Sequence, residues 1–195
     1  SVYHFSKGFL NQFGRVVSCQ EHLKHRNLVK DQPGLAWWMG MWNRPDGQTV
    51  ITQDYDSFSK SNPMKSKLIS VIASNKAFTK GHRERLEFVK KLKVHFGDQL
   101  DLYGRGFNDF ANKWDAIADY KYHIVIENCS IPYYWSEKLA DAFLGNSFPF
   151  YYGCSNIDQF FSKDAFRSID LHDADRAIEI IDQAIEDNLA EKNFA

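Results

Sequence analysis

The sequence predicts an α/β fold, a parallel sheet with helices on both faces. Three observations carry that prediction. After Lys67, apolar runs of strand length alternate with stretches of helical spacing about five times. The texture changes near residue 65, where short apolar pieces between turn-formers give way to regular periodicity. The 195 residues, 44% of them hydrophobic, suffice for one substantial core.

The elements follow in order. Before residue 65, Gly14 to Ser18 and Leu35 to Met39 are short apolar pieces, separated by turns such as Gln32-Pro33-Gly34 and Arg44-Pro45-Asp46-Gly47. Leu35 to Trp42 reads as a strand, and the polar stretch Asp54 to Lys67 as a connection. Leu68 to Ala73 is then the first strand of the regular part. Leu86, Val89, Leu92 and Phe96 line one side of a helix over His82 to Phe96. Gln99 to Tyr103 is the second strand, closed by Gly104-Arg105-Gly106, and Lys113 to Tyr120 a short helix. Tyr122 to Ile126 is the third strand. A helix follows over Ser136 to Leu144, with Gly145 as its C-cap. Phe148 to Tyr152 and Phe166 to Leu171 supply two more strands, and a periodic helix over Ala174 to Leu189 ends the alternation.

Composition narrows the function. A net charge of -1 supplies no field for nucleic acid or an anionic membrane, so phosphate binding must come from a local basic cluster. No apolar run approaches the roughly 18 residues that a membrane span needs. Three widely spaced cysteines (Cys19, Cys129, Cys154) make a poor disulfide framework and fit a reducing compartment. The N-terminus has no signal-peptide pattern and no initiator Met, which reads as a processed or truncated chain. Cys19-x2-His22-x2-His25 does not have common zinc spacing, and no metal site is expected. Asn128-Cys129-Ser130 is an incidental glycosylation sequon. Trp37, Trp38 and Trp42 suit a sugar platform, although aromatics in such stretches are more often core.

The segment Glu127 to Lys138 concentrates the chemistry. It leaves the third strand and enters a helix at Ser136, a favoured N-cap. The unpaired N–H groups and the dipole of a helix start attract an anion. Lys138 lies in that first turn, where a cation opposes the dipole, so a bound anion is expected to compensate it. Glu137 suits hydrogen bonds from sugar or ribose hydroxyls, and Asn128 can donate and accept. Taken singly, each is better explained as a solvated or capping residue; together, at a strand-to-helix junction, they point to a site. A second basic cluster, Lys80, His82, Arg83 and Arg85, follows the loop Ser74-Asn75 and should reach the same rim. Glu84 and Glu87 between them make a solvated helix face the plainer account of that cluster.

These residues resemble glycosyltransferase family 10, the α-1,3/1,4-fucosyltransferases. The likeness lies in Glu127-Asn128, Tyr134, Ser136-Glu137-Lys138, Asp141-Ala142 and Phe148-Pro149-Phe150-Tyr151-Tyr152-Gly153, at the family's spacing. Upstream, Ser74-Asn75, Arg85 ahead of Phe88 and Leu92, and Asp101-Leu102-Tyr103-Gly104 are similar to further blocks. The resemblance covers roughly residues 68 to 170. Ser136 stands where a Thr is usual, Trp135 where a small β-branched residue is usual, and Pro132 stiffens the loop.

The resemblance implies the C-terminal, Rossmann-like half of a GT-B glycosyltransferase that inverts the anomeric centre of GDP-fucose without a required metal or other cofactor. It implies catalytic roles for Arg85, Glu137 and Lys138, and donor binding by Ser74, Asn75, Tyr103, Gly104, Glu127, Asn128, Tyr134 and Ser136. Arg85 and Lys138 would neutralise the pyrophosphate, and Tyr103 and Gly104 would line the base pocket. The implied partners are GDP-fucose and an oligosaccharide acceptor of N-acetyllactosamine type. The implied location is the cytoplasm, or its side of a membrane, in a bacterial setting, and the Golgi lumen in a eukaryotic one. Residues 66–195 form the donor domain on this reading, and residues 1–65 a remnant of the acceptor domain and a linker. The general base belongs to that other domain and is unassigned. Two readings stay open beside it: a nucleotide-sugar binding module with little catalysis, and a transferase of another GDP- or UDP-sugar.

Overall fold

The computed structural model describes residues 4–35, 38–44 and 46–194. Its first part holds small elements: α1 (Lys7–Leu10), β1 (Val16–Val17) parallel to β2 (Leu28–Val29), the hairpin β3 (Met41–Asn43) and β4 (Thr49–Ile51), and α2 (Tyr55–Ser59). The strand expected over Leu35 to Trp42 falls partly outside the described residues, at positions 36 and 37, as do Pro45 of the expected turn and the first three residues. Met41–Asn43 is the strand found there, because Gly40, at φ 74°, turns the chain just before it.

The second part alternates strand and helix. Its elements are β5 (Lys67–Ile72), α3 (Lys80–Phe96), β6 (Leu100–Tyr103), α4 (Lys113–Ile117), β7 (Tyr120–Ile126), α5 (Glu137–Leu144), β8 (Phe148–Tyr152), β9 (Arg167–Ser168), α6 (Ala174–Glu186) and α7 (Leu189–Phe194). The five strands pair in parallel in the order β6-β5-β7-β8-β9. From β5 the chain steps outward to β6, then crosses back to place β7 on β5's other side. The direction of winding therefore reverses between β5 and β7, and the loops leaving those two strands part to form a crevice.

Strand residues alternate between two packed layers. Ile69, Val71, Ile124, Phe148 and Phe150 face α3 and α6 in one core, with Val89, Leu92 and Ile181 fully buried against them. Val125 and Tyr151 point the other way, onto Leu139 and Ala142 of α5. Each such Phe or Leu stabilises the fold by roughly 1.5–3 kcal/mol through the apolar surface it removes from water. Met39 and Phe58 from the first part pack on Ile117 of α4, so the hairpin region rests on the α4–α5 side.

One polar pair lies inside this sheet. Ser70 Oγ and His123 Nδ1, on neighbouring strands, are 2.8 Å apart and buried. Burial, with Lys113 and Lys65 close by, pushes the His123 pKa down to about 3, so the imidazole is neutral.

Element ends explain several departures from expectation. Helix α3 starts at Lys80 because Thr79 caps His82 N. Helix α4 stops at Ile117. The last helix breaks in two at Asn188, whose φ of 52° interrupts it. Gly145 is the C-cap of α5 as expected, but the left-handed step falls on Asn146, at φ 52°. Glycine is needed at 145 because a Cβ there would lie 2.6 Å from Ile117 Cγ2.

Candidate functional site

The loop from β7 to α5 and the loop from β5 to α3 border the crevice at the point of reversal. Glu127 directly follows β7 with its side chain fully buried. Its Oε1 accepts from Ser136 N at 2.7 Å, and both carboxylate oxygens lie 2.8 Å from Ser136 Oγ. Ser136 Oγ in turn accepts from Lys138 N at 3.4 Å. Lys138 Nζ donates to Ile126 O at 2.8 Å and Asn128 Oδ1 at 3.4 Å, and lies 3.4 Å from Glu127 Oε2.

This geometry changes what the sequence suggested for the helix start. The anion that compensates Lys138 against the dipole is the protein's own Glu127 carboxylate. Glu127 and Ser136, expected to bind the donor, hold each other and Lys138 in place in this structure. The three protons of the ammonium already have three acceptors, the Asn128 contact being among the longest. Burial lowers the Lys138 pKa; Glu127 opposes that effect and Arg85 adds to it.

Arg85 reaches the same place from α3. Burial lowers its pKa, while the negative charge of Glu127 and the hydroxyls of Tyr134 and Tyr152 pull it back up. Its Nε is buried and has no hydrogen-bond partner. Arg85 and Lys138 interact electrostatically, and each also interacts with Glu127. The two cations face the buried Glu127 carboxylate, and Glu137 also acts on Lys138. Tyr134 closes it: burial, then Glu127, raises its pKa, and its hydroxyl bonds to the Asn128 side chain. The neighbouring Tyr133 has φ 63°, a strained conformation held by its N–H on Asn156 Oδ1 at 2.7 Å.

The rest of the expected basic cluster stays apart. Lys80 pairs with Glu84 at 3.5 Å, and Arg83 donates to Ala77 O at 3.1 Å. Ser74 and Asn75 lie at the rim after β5, where Asn75 N donates to Arg105 O at 2.9 Å. Gly104, at φ 108°, passes so near Ala73 O that a Cβ would lie 2.1 Å from it. Its role visible here is therefore to let the β5 and β6 loops meet. Tyr103, expected to line a base pocket, has its hydroxyl engaged within the sheet. Its hydroxyl lies 2.7 Å from Tyr120 Oη, which donates to Asp101 Oδ2 at 2.6 Å. The side chain leans back along the sheet, away from the rim.

Glu137 acts on Lys138, one residue on, and lines a small cavity with it and Lys113. Its Oε1 is 3.5 Å from Lys113 Nζ, and Lys113 also pairs with Asp141 one helical turn further. Burial raises the Asp141 pKa to about 6, against the lowering effect of Lys113. Lys113 is a residue that sequence reasoning missed, because its partners lie on a different helix and no spacing within α4 points to them. Among the described residues, no group of three or more His, Cys, Asp or Glu is placed to hold a metal, and no helix is long and apolar enough to cross a membrane.

Comparison with known proteins adds the remaining evidence. No curated protein matches the chain significantly. Solved structures do. An α1,3-fucosyltransferase crystallised with GDP, and one with GDP-fucose, each align with a TM-score of 0.55 and 23% identity, over 70% of this chain and 40% of theirs. An α1,3-fucosyltransferase crystal structure aligns at 0.51 with 26% identity, over 67% of this chain and 39% of that one. These likenesses establish the α/β fold, and the chain spans about 40% of the length of the fucosyltransferases it matches. A family model described as glycosyltransferase family 10 (fucosyltransferase) C-term matches residues 62–188. With well over half its length inside that match, the chain belongs to glycosyltransferase family 10, the fucosyltransferases.

Proposed function

We propose that this chain is the donor-binding half of an inverting fucosyltransferase and that it holds GDP-fucose in the crevice between β5 and β7. The reading rests chiefly on one observation: Arg85 and Lys138, from helices on opposite faces of the sheet, interact electrostatically with each other and with the buried Glu127 carboxylate. An acceptor hydroxyl would attack the anomeric carbon from the side opposite the nucleotide. The bond from that carbon to the β-phosphate oxygen breaks, GDP departs with the electron pair, and the hydroxyl proton passes to a base outside the residues assigned here. Arg85 and Lys138 stabilise the charge that grows on the diphosphate, a role a divalent ion fills in other transferases. Arg85, with its unpartnered Nε, is the stronger anchor. Lys138 must first release Asn128, so the two residues exchange partners as the diphosphate arrives.

Glu137 serves a ribose or sugar hydroxyl, and Tyr134 with Asn128 flanks the fucose. Ser74 and Asn75 line the rim beside the nucleotide, and Glu127 with Ser136 acts by positioning Lys138. Residues 66–195 form the donor domain and residues 1–65 belong with the acceptor side. The acceptor is a glycan hydroxyl, with the cytoplasmic side of a membrane or the Golgi lumen as the setting.

Calorimetric titration with GDP-fucose tests this. Arg85→Ala and Lys138→Ala should each weaken binding by about 1.5–3 kcal/mol, roughly 10- to 150-fold, with Arg85→Ala the larger loss. Parent-like binding by both folded variants would remove the assignment. A second reading is a nucleotide-sugar binding module with little catalysis of its own. Donor binding without transfer to N-acetyllactosamine favours it. Tighter binding of a UDP-sugar in competition would reassign the donor.

A further inference from the structure

A small cavity of about 160 Å³ adjoins the donor cluster, with Lys113, His123, Glu137, Lys138 and Asp141 as its polar lining. Glu137 also borders a wider cleft, of about 850 Å³, that it shares with Lys113 and Trp42. Its carboxylate interacts with two ammoniums, those of Lys113 and Lys138. We propose that Lys113 is a positioning residue for the donor: it holds the Glu137 carboxylate in place for a donor hydroxyl and keeps it from pairing with Lys138. The inference rests on the donor reading above and deepens it.

Three observations carry it. The first is the placement of Lys113, which opens α4 directly after Asn112. The Asn112 side chain accepts from Trp114 N at 3.1 Å and Gly40 N at 3.3 Å, and donates to Thr52 Oγ1 at 3.0 Å. The start of α4 is thus tied to the chain on both sides of the β3–β4 hairpin, which delivers the lysine to a fixed point. A cation at a helix start opposes the dipole, so its ammonium depends on carboxylates from outside α4.

The second is the spacing of those carboxylates. Glu137 and Asp141 are four residues apart on α5, where like charges destabilise a helix. Lys113 Nζ bridges them: it is bonded to Asp141 Oδ2 and lies 3.5 Å from Glu137 Oε1. Without the bridge, Asp141 and Glu137 repel each other. The cation left to Glu137 is then Lys138, on which it already acts. An ammonium paired in that way is withdrawn from the diphosphate.

The third is asymmetry. Asp141 takes the close contact and is 3% exposed, whereas Glu137 accepts from Lys113 at 3.5 Å and is 26% exposed. Among the described residues, Glu137 Oε2 accepts no hydrogen bond, so the carboxylate is held and can still receive a hydroxyl. Neutralising Asp141 alone would not require this second contact.

Calorimetric titration with GDP-fucose across a double-mutant cycle tests the coupling. Lys113→Met and Glu137→Gln should each weaken binding about tenfold. Introduced together they should weaken it little more than either alone, because both act through one carboxylate. Lys113→Arg keeps a charge between the two acids and should stay within about threefold of the parent. Losses that multiply to about a hundredfold, parent-like binding by Lys113→Met, or an arginine variant as weak as the methionine one overturn the inference and leave the donor reading in place. A parent chain that does not bind GDP-fucose overturns both. If Lys113→Met misfolds, its combination with Asp141→Asn leaves no buried carboxylate without its cation and reads the same loss.

Discussion

Two carboxylates ten residues apart, Glu127 and Glu137, stand at opposite sides of the same helix start and do opposite work. Glu127 is fully buried with all its partners inside the protein, whereas Glu137 is about a quarter exposed and meets Lys113 at the edge of a cleft. Residue type does not separate them. What separates them is that one directly follows a central strand beneath the helix cap, and the other occupies the first turn above it. A buried carboxylate facing donors organises the site; a partly solvated one is free to meet a ligand.

Breaking the buried side should have the largest effect. Glu127→Ala leaves the Lys138 ammonium and the Ser136 cap without their anion, and should cost about 3–5 kcal/mol of stability, read from urea unfolding. Glu137→Gln should cost under about 1 kcal/mol. Equal losses would erase the contrast between the two sides.

Acid tests the sheet interior beneath Glu137. His123 has its pKa pushed down to about 3 from an ordinary 6.5, so the unfolded chain binds the proton more readily than the folded one. Its contribution is full above pH 6.5 and is lost as pH falls toward 3. Lowering the pH from 7 to 5 should therefore remove about 2 kcal/mol through this group. His123→Gln should flatten that part of the pH profile; an unchanged slope would place its origin elsewhere.

Lys113→Met sharpens the comparison at smaller scale. It leaves Asp141, whose side chain is 3% exposed, as a buried carboxylate without its cation. The expected loss is roughly 1–1.5 kcal/mol. It should be greater at pH 8 than at pH 5, because burial already holds the Asp141 pKa up at about 6 and protonation relieves the cost. A pH-independent loss would mean that Lys113 contributes packing alone.

The sequence by itself determined the alternation of strand and helix, the capping serine and the set of blocks from Ser74 to Gly153, because these are local matters of period, cap chemistry and spacing. It also singled out Arg85 and Lys138. Only the tertiary structure decided how the pieces are used. That Glu127 reaches the helix start depends on the fold of a ten-residue loop. That Tyr103 leans back to Tyr120 depends on which strands are neighbours. The partnership of Lys113 with α5, and the cleft that joins Trp42 to Glu137, depend on two helices and a hairpin brought together across the sheet. Hydrogen bonds and charge pairs of that kind are set by distance in space, which periodicity along the chain does not encode.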